Sequence, residues 1–188
     1  MTPAPHAQVN IREALEHDLE AIREIYNAAI PSGMATADLT PQTLEARQAW
    51  WRDRDLRRRP VLVAADDAGT VIAWGSFSDF KPRAAYAPCA EISVYVAPAA
   101  AGRGVGQRML DALLACAPGC GIDRILAICF AHNEPSLRLF RSRGFSQWGS
   151  LPEACDMRGT RRSVTILGLA MGACATFPPA LLRDRQGA

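Results

Sequence analysis

Three glycines stand at alternate positions, 102, 104 and 106, in the segment AGRGVGQR at 101–108. The segment follows the strand-like run SVYVAPA and enters the helix-like run VGQRMLDALLACA. Glycine adopts a left-handed backbone at little cost and lets another group approach the main chain closely. Free N–H groups at the start of a helix bind anions. The segment therefore predicts a strand, an anion-binding loop and a helix, unless the glycines merely close a turn.

The composition is that of an ordinary folded domain. Of the 188 residues, 49% are apolar and 21% are charged. The net charge of +2 is too small to indicate a nucleic-acid partner, and no apolar run is long enough to span a membrane. The first residues, MTPAPHAQVN, lack the apolar core of a signal peptide. We expect a cytoplasmic protein with one domain over 1–171 and a flexible tail over 172–188.

The sequence offers no recognisable metal site. Its six cysteines include no C-x-x-C pair, and its three histidines are scattered. Zinc sites need paired ligands at short spacing. We therefore expect no metal, and interpret the cysteines as thiols of a reducing compartment.

The first half of the chain predicts two helices and three strands. A short strand around residues 9–11 precedes a helix that Asp18 opens and Pro31 ends. Thr40-Pro41 predicts the cap and first turn of a second helix. The following charge run, RDRDLRRR at 52–59, is interpreted as a solvated helix end rather than a binding patch. PVLVAADDAGTVIAWGSFSDF predicts a hairpin with its turn at 66–69.

The second half predicts a crossover and two last strands. EISVYVAP reads as a strand before the glycine loop, and the apolar run RILAICF predicts a strand that is covered on both faces. A helix from about Pro135 to Arg143 closes at Gly144, and strands follow over 145–151 and 164–169. The order β-α-α-β-β-β-α-β-α-β-β predicts a mixed α/β sheet, antiparallel in its first half, with one right-handed crossover.

Two familiar nucleotide loops do not fit the glycines. The dinucleotide fingerprint G-x-G-x-x-G requires its third glycine at 107 or 109, where Gln107 and Met109 stand. The phosphate loop G-x-x-x-x-G-K-[ST] requires a lysine that is missing here.

The pattern R/Q-x-x-G-x-G/A fits 101–106 except at its first position, and there the chain resembles the GCN5-related N-acetyltransferase (GNAT) superfamily. The preceding strand EISVYVAP and the segment AHNEPSLRLFRSRGF, similar to N-x-x-S-x-x-L-(Y/H)-x-x-x-G-F, extend the resemblance over about 80–151. It implies a mostly antiparallel sheet of six to seven strands with about four helices. It also implies a V-shaped opening between strands 4 and 5.

Two further segments resemble the phosphinothricin and methionine sulfoximine acetyltransferase branch. They are SGMATAD at 32–38 and FKPRAAYAPCAEISVYV at 80–96. The resemblance implies an acetyl-CoA-dependent N-acetyltransferase, commonly dimeric, that acts on the amino group of a small amino-acid-like substrate such as phosphinothricin, methionine sulfoximine or methionine sulfone. A protein or peptide N-acetyltransferase and a catalytically inactive acyl-CoA-binding sensor are the alternatives.

The resemblance assigns residues to acetyl-CoA. The loop amides would hold the pyrophosphate, with added charge from Arg103 and Arg108, and the strand before the loop would splay to expose backbone donors. Asn133 would contact the pantetheine arm or cap the last helix, or do both. The predicted acetyl-CoA residues are Val94, Tyr95, Val96, Gly102, Arg103, Gly104, Val105, Gly106, Gln107, Asn133 and Ser136.

Glu91 is the candidate general base, because an amine must be neutral to attack a thioester. Its alternative is a surface strand residue or a salt-bridge partner. Lys81 and Arg83 would bind the carboxylate or oxoanion of the substrate, unless they form a basic loop that faces water. Met34 and Tyr86 would line the substrate pocket.

Three positions depart from the family pattern. Ala101 replaces an Arg or Gln, which removes one side-chain contact from the loop. Phe140 stands where the family has a Tyr or His that protonates the leaving thiolate. Arg161 and Ser163 stand where the phosphinothricin branch carries Trp and Asp, so the substrate is less defined than the reaction.

Overall fold

The computed structural model describes residues 9–172 of the chain. Within that range seven strands form one sheet and four α-helices pack against it, in the predicted order. The predicted tail over 172–188 falls outside the described residues, apart from Gly172. The elements are β1 (Asn10–Glu13), α1 (Leu19–Ala29), α2 (Leu44–Arg52), β2 (Val61–Ala65), β3 (Val71–Asp79), β4 (Cys89–Val96), α3 (Val105–Cys116), β5 (Arg124–Phe130), α4 (Glu134–Arg141), β6 (Ser146–Met157) and β7 (Thr160–Ala170).

The strands lie in the order β1-β2-β3-β4-β5-β7-β6. Every neighbouring pair is antiparallel except β4 and β5, which run parallel. A parallel pair needs a crossover connection, and α3 lies in the connection between these two strands. The predicted mixed α/β sheet is therefore confirmed.

Both faces of the sheet are covered in its first half. Successive side chains of a strand point to opposite faces, and β2 shows the result. Its Leu62 and Ala64 pack in the core that contains α3 and α4. Its Val61 and Val63 pack in a second core with α1, on whose edge α2 residues also lie. The strand is buried along its whole length.

The second helix begins later than predicted. The expected start was Thr40-Pro41, but α2 begins at Leu44 and Thr43 is its cap, accepting a backbone N–H bond of 3.2 Å. The side chain of Asn27 explains the difference. It makes two hydrogen bonds, of 2.8 and 2.9 Å, to the backbone of Gln42 and so holds that residue before the helix.

The last two strands are longer than the predicted 145–151 and 164–169. They continue into a hairpin whose turn contains Arg158 and Gly159, with φ of 56° and 84°. Two positive φ values suit a tight hairpin turn. Pro152 lies within β6, before the turn. The strand tolerates proline because it lies at the edge of the sheet.

The charge run at 52–59 is not simply solvated. Arg57 and Arg58 are exposed as predicted, but the prediction is wrong for Arg54 and Arg59. Arg59 is only 4% exposed, and Arg54 donates to the backbone carbonyl of Phe77. Their partners lie on β3 and at or just before the start of β4, too distant in sequence for the local charge pattern to indicate them.

Candidate active site

A cleft opens between β4 and β5. The two strands pair only from Cys89 with Arg124 to Glu91 with Leu126. Beyond that point β4 continues to Val96 and β5 to Phe130 without pairing to each other. Alternate residues of each strand therefore present backbone N–H and C=O groups to the gap. This geometry is the V-shaped opening that the family resemblance implies.

The cleft contains a cavity of about 140 Å³. Its walls come from β4 and β5, from the loop over 33–38 and from α4, with one residue each from β6 and β7. Ile128 faces it, which explains why this residue of the apolar run RILAICF is 40% exposed. Among the predicted site residues, those that line the cavity are Met34, Val94, Tyr95, Asn133 and Ser136.

Glu91 lies at the closed end of the cleft, in the last residue pair that joins β4 to β5. It shares a face of β4 with Ser93 and Tyr95, which line the cavity. Burial raises the pKa of its carboxyl group above the ordinary value for Glu. The Glu91 charge also adds to the raised pKa of two cavity residues that burial dominates, Tyr95 and Cys129. The carboxylate is therefore half-buried beside the cavity.

The glycine loop lies at the other end of β4. Gly102 and Gly104 have φ of 74° and 76°, and neither Cβ position would meet another atom within 4 Å. These two glycines serve backbone conformation, not close packing. Gly106 lies next to Val96 and Leu139, since a Cβ on it would be 3.5 and 3.6 Å from their side chains. The loop is thus adjacent to the end of β4 and to α4.

The loop leads directly into α3 with unsatisfied amides. Gly104 is the N-terminal cap of α3 and supplies no side chain to it. The N–H groups of Val105, Gly106 and Gln107 have no intrahelical partner because they form the first turn. Arg103 is exposed. Arg108 instead donates a 2.7 Å hydrogen bond to the carbonyl of Val9, so this side chain is bonded to the segment before β1.

Asn133 joins α4 to the 33–38 loop. Its Oδ1 accepts a 3.2 Å bond from the Ser136 N–H, as the cap prediction required. Its Nδ2 donates a 2.7 Å bond to the carbonyl of Met34. The neighbouring His132 stacks on Phe130 and lies 3.3 Å from the carbonyl of Gly33. Both side chains therefore hold the loop.

A partly buried polar network supports the same loop and was not predicted. The Tyr26 hydroxyl bonds Thr36 Oγ1 at 2.7 Å and Asp38 at 2.8 Å. Gln42 links Asp38 to Arg47 through bonds of 2.7 Å each. The Arg47 guanidinium is buried and lies over aromatic rings, those of Tyr26, Trp50 and Trp74. No local sequence pattern predicts this network. Tyr26 has the spacing of a residue on the apolar helix face, and its polar partners lie in other segments of the chain.

The predicted substrate residues Lys81, Arg83 and Tyr86 lie outside the cavity. All three are exposed on the loop over 80–88, which connects β3 to β4. The Tyr86 ring meets the edge of Phe80 at 5.8 Å, and Lys81 Nζ lies 5.2 Å from the centre of the same ring. These residues lie near one another on the loop and, unlike Met34, do not line the cavity.

Phe140 is buried and forms part of the cavity wall. Its ring packs against Phe145 at 5.2 Å. It carries no proton to donate. The residue that departs from the family pattern here therefore faces the cleft.

Neither a membrane nor a metal is indicated by the described residues. No helix within residues 9–172 is long and apolar enough to cross a membrane. In the same range, no three His, Cys, Asp or Glu side chains come together to hold a metal ion.

Residues 19–145 match the Acetyltransferase (GNAT) family. The chain belongs to this family and is an N-acetyltransferase, as the glycine loop and its flanking segments predicted. Two bacterial relatives show which branch of the family the chain resembles. The Bacillus subtilis (strain 168) protein named "Putative phosphinothricin acetyltransferase YwnH" is 44% identical over 160 residues, which are 85% of this chain and 98% of the relative. The L-methionine sulfoximine/L-methionine sulfone acetyltransferase of Pseudomonas aeruginosa is 33% identical over 169 residues, 90% of this chain and 98% of the relative.

A solved structure with the same fold contains acetyl-CoA. It is a GNAT superfamily phosphinothricin acetyltransferase from Sinorhizobium meliloti in complex with AcCoA, 27% identical, with a TM-score of 0.83. The match covers 92% of this chain and 93% of that one. The predicted likeness to the phosphinothricin and methionine sulfoximine branch is confirmed.

Proposed function

We propose that this protein transfers the acetyl group of acetyl-CoA to the amino group of a small amino-acid-like substrate of the phosphinothricin, methionine sulfoximine or methionine sulfone type, with Glu91 as general base. One observation carries the proposal. The cleft has a half-buried carboxylate at its closed end and an uncapped helix N-terminus beside the far end of β4. A candidate base and a candidate anion-binding turn thus lie at the two ends of β4, the strand that forms one wall of the cavity.

The residues of the chain fit acetyl-CoA. The amides of 102–107 and the positive end of the α3 dipole would hold the pyrophosphate. Exposed backbone groups of Val94, Tyr95 and Val96 would receive the acyl end in the cleft. When bound, acetyl-CoA supplies a thioester that is reactive toward amines. Asn133 would act here mainly by its bond to Met34, since both ends of its side-chain amide already have protein partners.

Glu91 would take a proton from the substrate amine. An α-amino group has a pKa of about 8, so much of it is protonated at neutral pH and a base is needed. A carboxyl group whose pKa is raised by burial is a stronger base than an exposed one. Glu91 would act directly or through a water molecule.

The leaving thiolate would depart without an acid. Phe140 offers no proton, but a thiol pKa of about 8.5 makes the thiolate an adequate leaving group near neutral pH. A backbone N–H of the splayed part of β4, directed into the cleft, would stabilise the negative charge on the carbonyl oxygen. The absence of a side-chain acid then slows the reaction but does not prevent it.

The substrate class follows from the relatives and from two cations. The relatives named above act on phosphinothricin or methionine sulfoximine by their names. Lys81 and Arg83 would bind the carboxylate or oxoanion of such a substrate, and Met34 and Tyr86 would contact its side chain. Lys81, Arg83 and Tyr86 lie on an exposed loop, whereas Met34 lies on the cavity wall. This placement requires the substrate to bridge the cleft and the 80–88 loop.

The experiment that tests the function follows thiol release from acetyl-CoA. Phosphinothricin, methionine sulfoximine, methionine sulfone, ordinary amino acids and a short peptide are supplied in turn. Release with one of the first three, and little with the others, supports the proposal. Preference for the peptide indicates a peptide N-acetyltransferase. Acetyl-CoA binding without release across the whole panel identifies the acyl-CoA sensor, which Phe140 favours.

A homodimer and a cytoplasmic location remain predictions. Members of the family commonly form dimers, and we expect the same of this chain. Sedimentation equilibrium of the purified protein measures the assembly directly.

A further inference from the structure

We propose that Arg59 is a positioning residue for substrate binding, because it closes the base of the 80–88 loop. The inference rests on the proposed function, in which Lys81 and Arg83 of that loop bind the substrate. Arg59 itself lies outside the cavity and before β2. Its role is to set where the two loop cations stand.

The guanidinium of Arg59 reaches both sides of the loop. Its Nε donates a 2.7 Å hydrogen bond to the Asp79 carboxylate, at the end of β3. One terminal nitrogen donates to the carbonyls of Ala87 and Cys89, at 2.9 and 3.4 Å, where β4 begins. The other donates to the carbonyl of Arg58. One rigid group therefore cross-links the two ends of a nine-residue segment.

This cross-link begins where the sheet pairing stops. The last residue pair of the β3–β4 ladder joins Asp79 to Ala90. The loop residues from 81 to 86 are exposed, so the loop has little packing to fix it. The Arg59 side chain is buried to 5% exposure, and hydrogen bonds to a charged group are stronger than neutral ones when shielded from water.

A loop that is already fixed favours binding, because less conformational freedom of the loop is lost when the substrate binds. Each rotamer-rich side chain or loop that becomes ordered on binding weakens affinity, and preorganisation removes part of that loss. The planar fork of arginine can contact Asp79 and Ala87 together. A lysine retains the charge and the stem but has one nitrogen, which cannot span both sides in the same geometry. Arg59→Lys therefore tests the fork rather than the charge.

The rate of trypsin cleavage measures how often the 80–88 loop opens, and this measurement does not depend on catalysis. Arg83 is exposed and is followed by Ala84, whereas Lys81 is followed by Pro82 and resists cleavage. Cleavage of a transiently open segment follows the population of its open form. In Arg59→Lys, cleavage after Arg83 should accelerate about tenfold, since one or two charge-assisted bonds are lost. Asp79→Asn, at a side chain that is 57% exposed, should give a smaller increase and guards against misfolding of the first variant.

The matched control is Arg58→Lys, the same change at an exposed neighbour. It should leave the cleavage rate, the thermal midpoint and the activity unchanged. In the active enzyme, Arg59→Lys should raise KM for the amine about tenfold and leave KM for acetyl-CoA within about twofold. A general loss of packing would raise both constants or lower the thermal midpoint without this split.

The outcomes separate the two proposals. Unchanged cleavage after Arg83 in both Arg59→Lys and Asp79→Asn overturns the anchoring role. Faster cleavage with an unchanged KM for the amine overturns the link to substrate. If the unmodified protein releases no thiol with any amine, the proposed function fails, while faster cleavage in the variants still establishes Arg59 as the anchor of the loop.

Discussion

The side-chain amide of Asn133 donates a 2.7 Å hydrogen bond to the backbone carbonyl of Met34, a residue 99 positions earlier in the chain. The same amide caps α4 through its oxygen. One side chain at 5% exposure therefore connects the helix on one side of the cleft with the loop that covers it.

Replacing Asn133 separates these two functions. Asn133→Ala should lower the free energy of unfolding by about 2–3 kcal/mol, from loss of the cap and an unsatisfied Met34 carbonyl. Asn133→Ser keeps a capping oxygen and should lose only about 1–2 kcal/mol. Urea unfolding measures both values. Equal losses in the two variants would show that the cap contributes nothing.

Glu91→Gln should lower kcat at least about 100-fold and leave KM for acetyl-CoA within about twofold, because only the proton acceptor is removed. Because burial raises the pKa of Glu91, we expect this carboxyl group to determine the acid limb of the pH–activity profile of the unmodified enzyme. Activity should fall as pH decreases through a value above the ordinary Glu pKa of about 4.3. Stopped-flow or steady-state thiol release against pH tests both points. A parallel loss of acetyl-CoA affinity would contradict the role of base.

Glu91→Gln should also make the protein more stable at neutral pH. Burial penalises the charged carboxylate, so its folded-state pKa lies above its unfolded-state pKa. The stabilising effect of the neutral form is complete below the unfolded pKa and is lost as pH rises through the folded pKa. Gln keeps the neutral form at every pH. The thermal midpoint of the variant should exceed that of the unmodified protein at pH 7, and the difference should shrink as pH approaches about 4.3.

Gly104→Val should raise KM for acetyl-CoA at least about tenfold with little change in kcat, because valine is strained at φ of 76° and distorts the turn that presents the amides. Gly69→Val is the matched control. It places the same side chain at φ of 81° in a hairpin turn that lies outside the cleft. Both variants should be destabilised, but only Gly104→Val should weaken acetyl-CoA binding in isothermal calorimetry. Equal affinities in the two variants would refute the assigned role of the loop.

Phe140→Tyr should raise kcat several-fold near pH 7, since a hydroxyl on the cavity wall would protonate the departing thiolate. The gain should vanish well above the thiol pKa of about 8.5, where protonation no longer helps. Phe145→Tyr is the control, because Phe145 packs on Phe140 but does not line the cavity. It should cost stability and leave the pH dependence of kcat unchanged. An identical pH profile in both variants would mean that thiolate departure does not limit the rate.

The sequence predicts those features whose cause is local. Gly102 and Gly104 have the positive φ values that glycine favours, and the element order and the parallel strand pair joined through α3 are confirmed. The apolar run RILAICF forms a strand, in which Ile128 is exposed to the cleft. The cap of α4 also follows from neighbours, because Asn133 and Ser136 are three residues apart.

Features with distant partners were not predictable. The sequence alone indicates one more cation of a solvated run at Arg59, since its acceptors on β3, on the 80–88 loop and on β4 lie 20 to 30 residues later. The bond from Asn133 to Met34 and the Tyr26 network depend on how segments meet in the fold. For the same reason, the exposed positions of Lys81, Arg83 and Tyr86 leave their role in substrate binding a prediction.

The 33–38 loop is attached to both sides of the cleft. The Tyr95 hydroxyl holds Ala35 from β4, while Asn133 holds Met34 from the side of β5 and α4. The loop thus links the two walls of the cleft, whose strands β4 and β5 are otherwise joined by only three residue pairs. Hydrogen bonds to both walls therefore hold the aperture of the cleft, and we expect its width to limit which acceptors enter. We expect that lengthening this loop by one residue would widen the cleft and change which acceptors it admits.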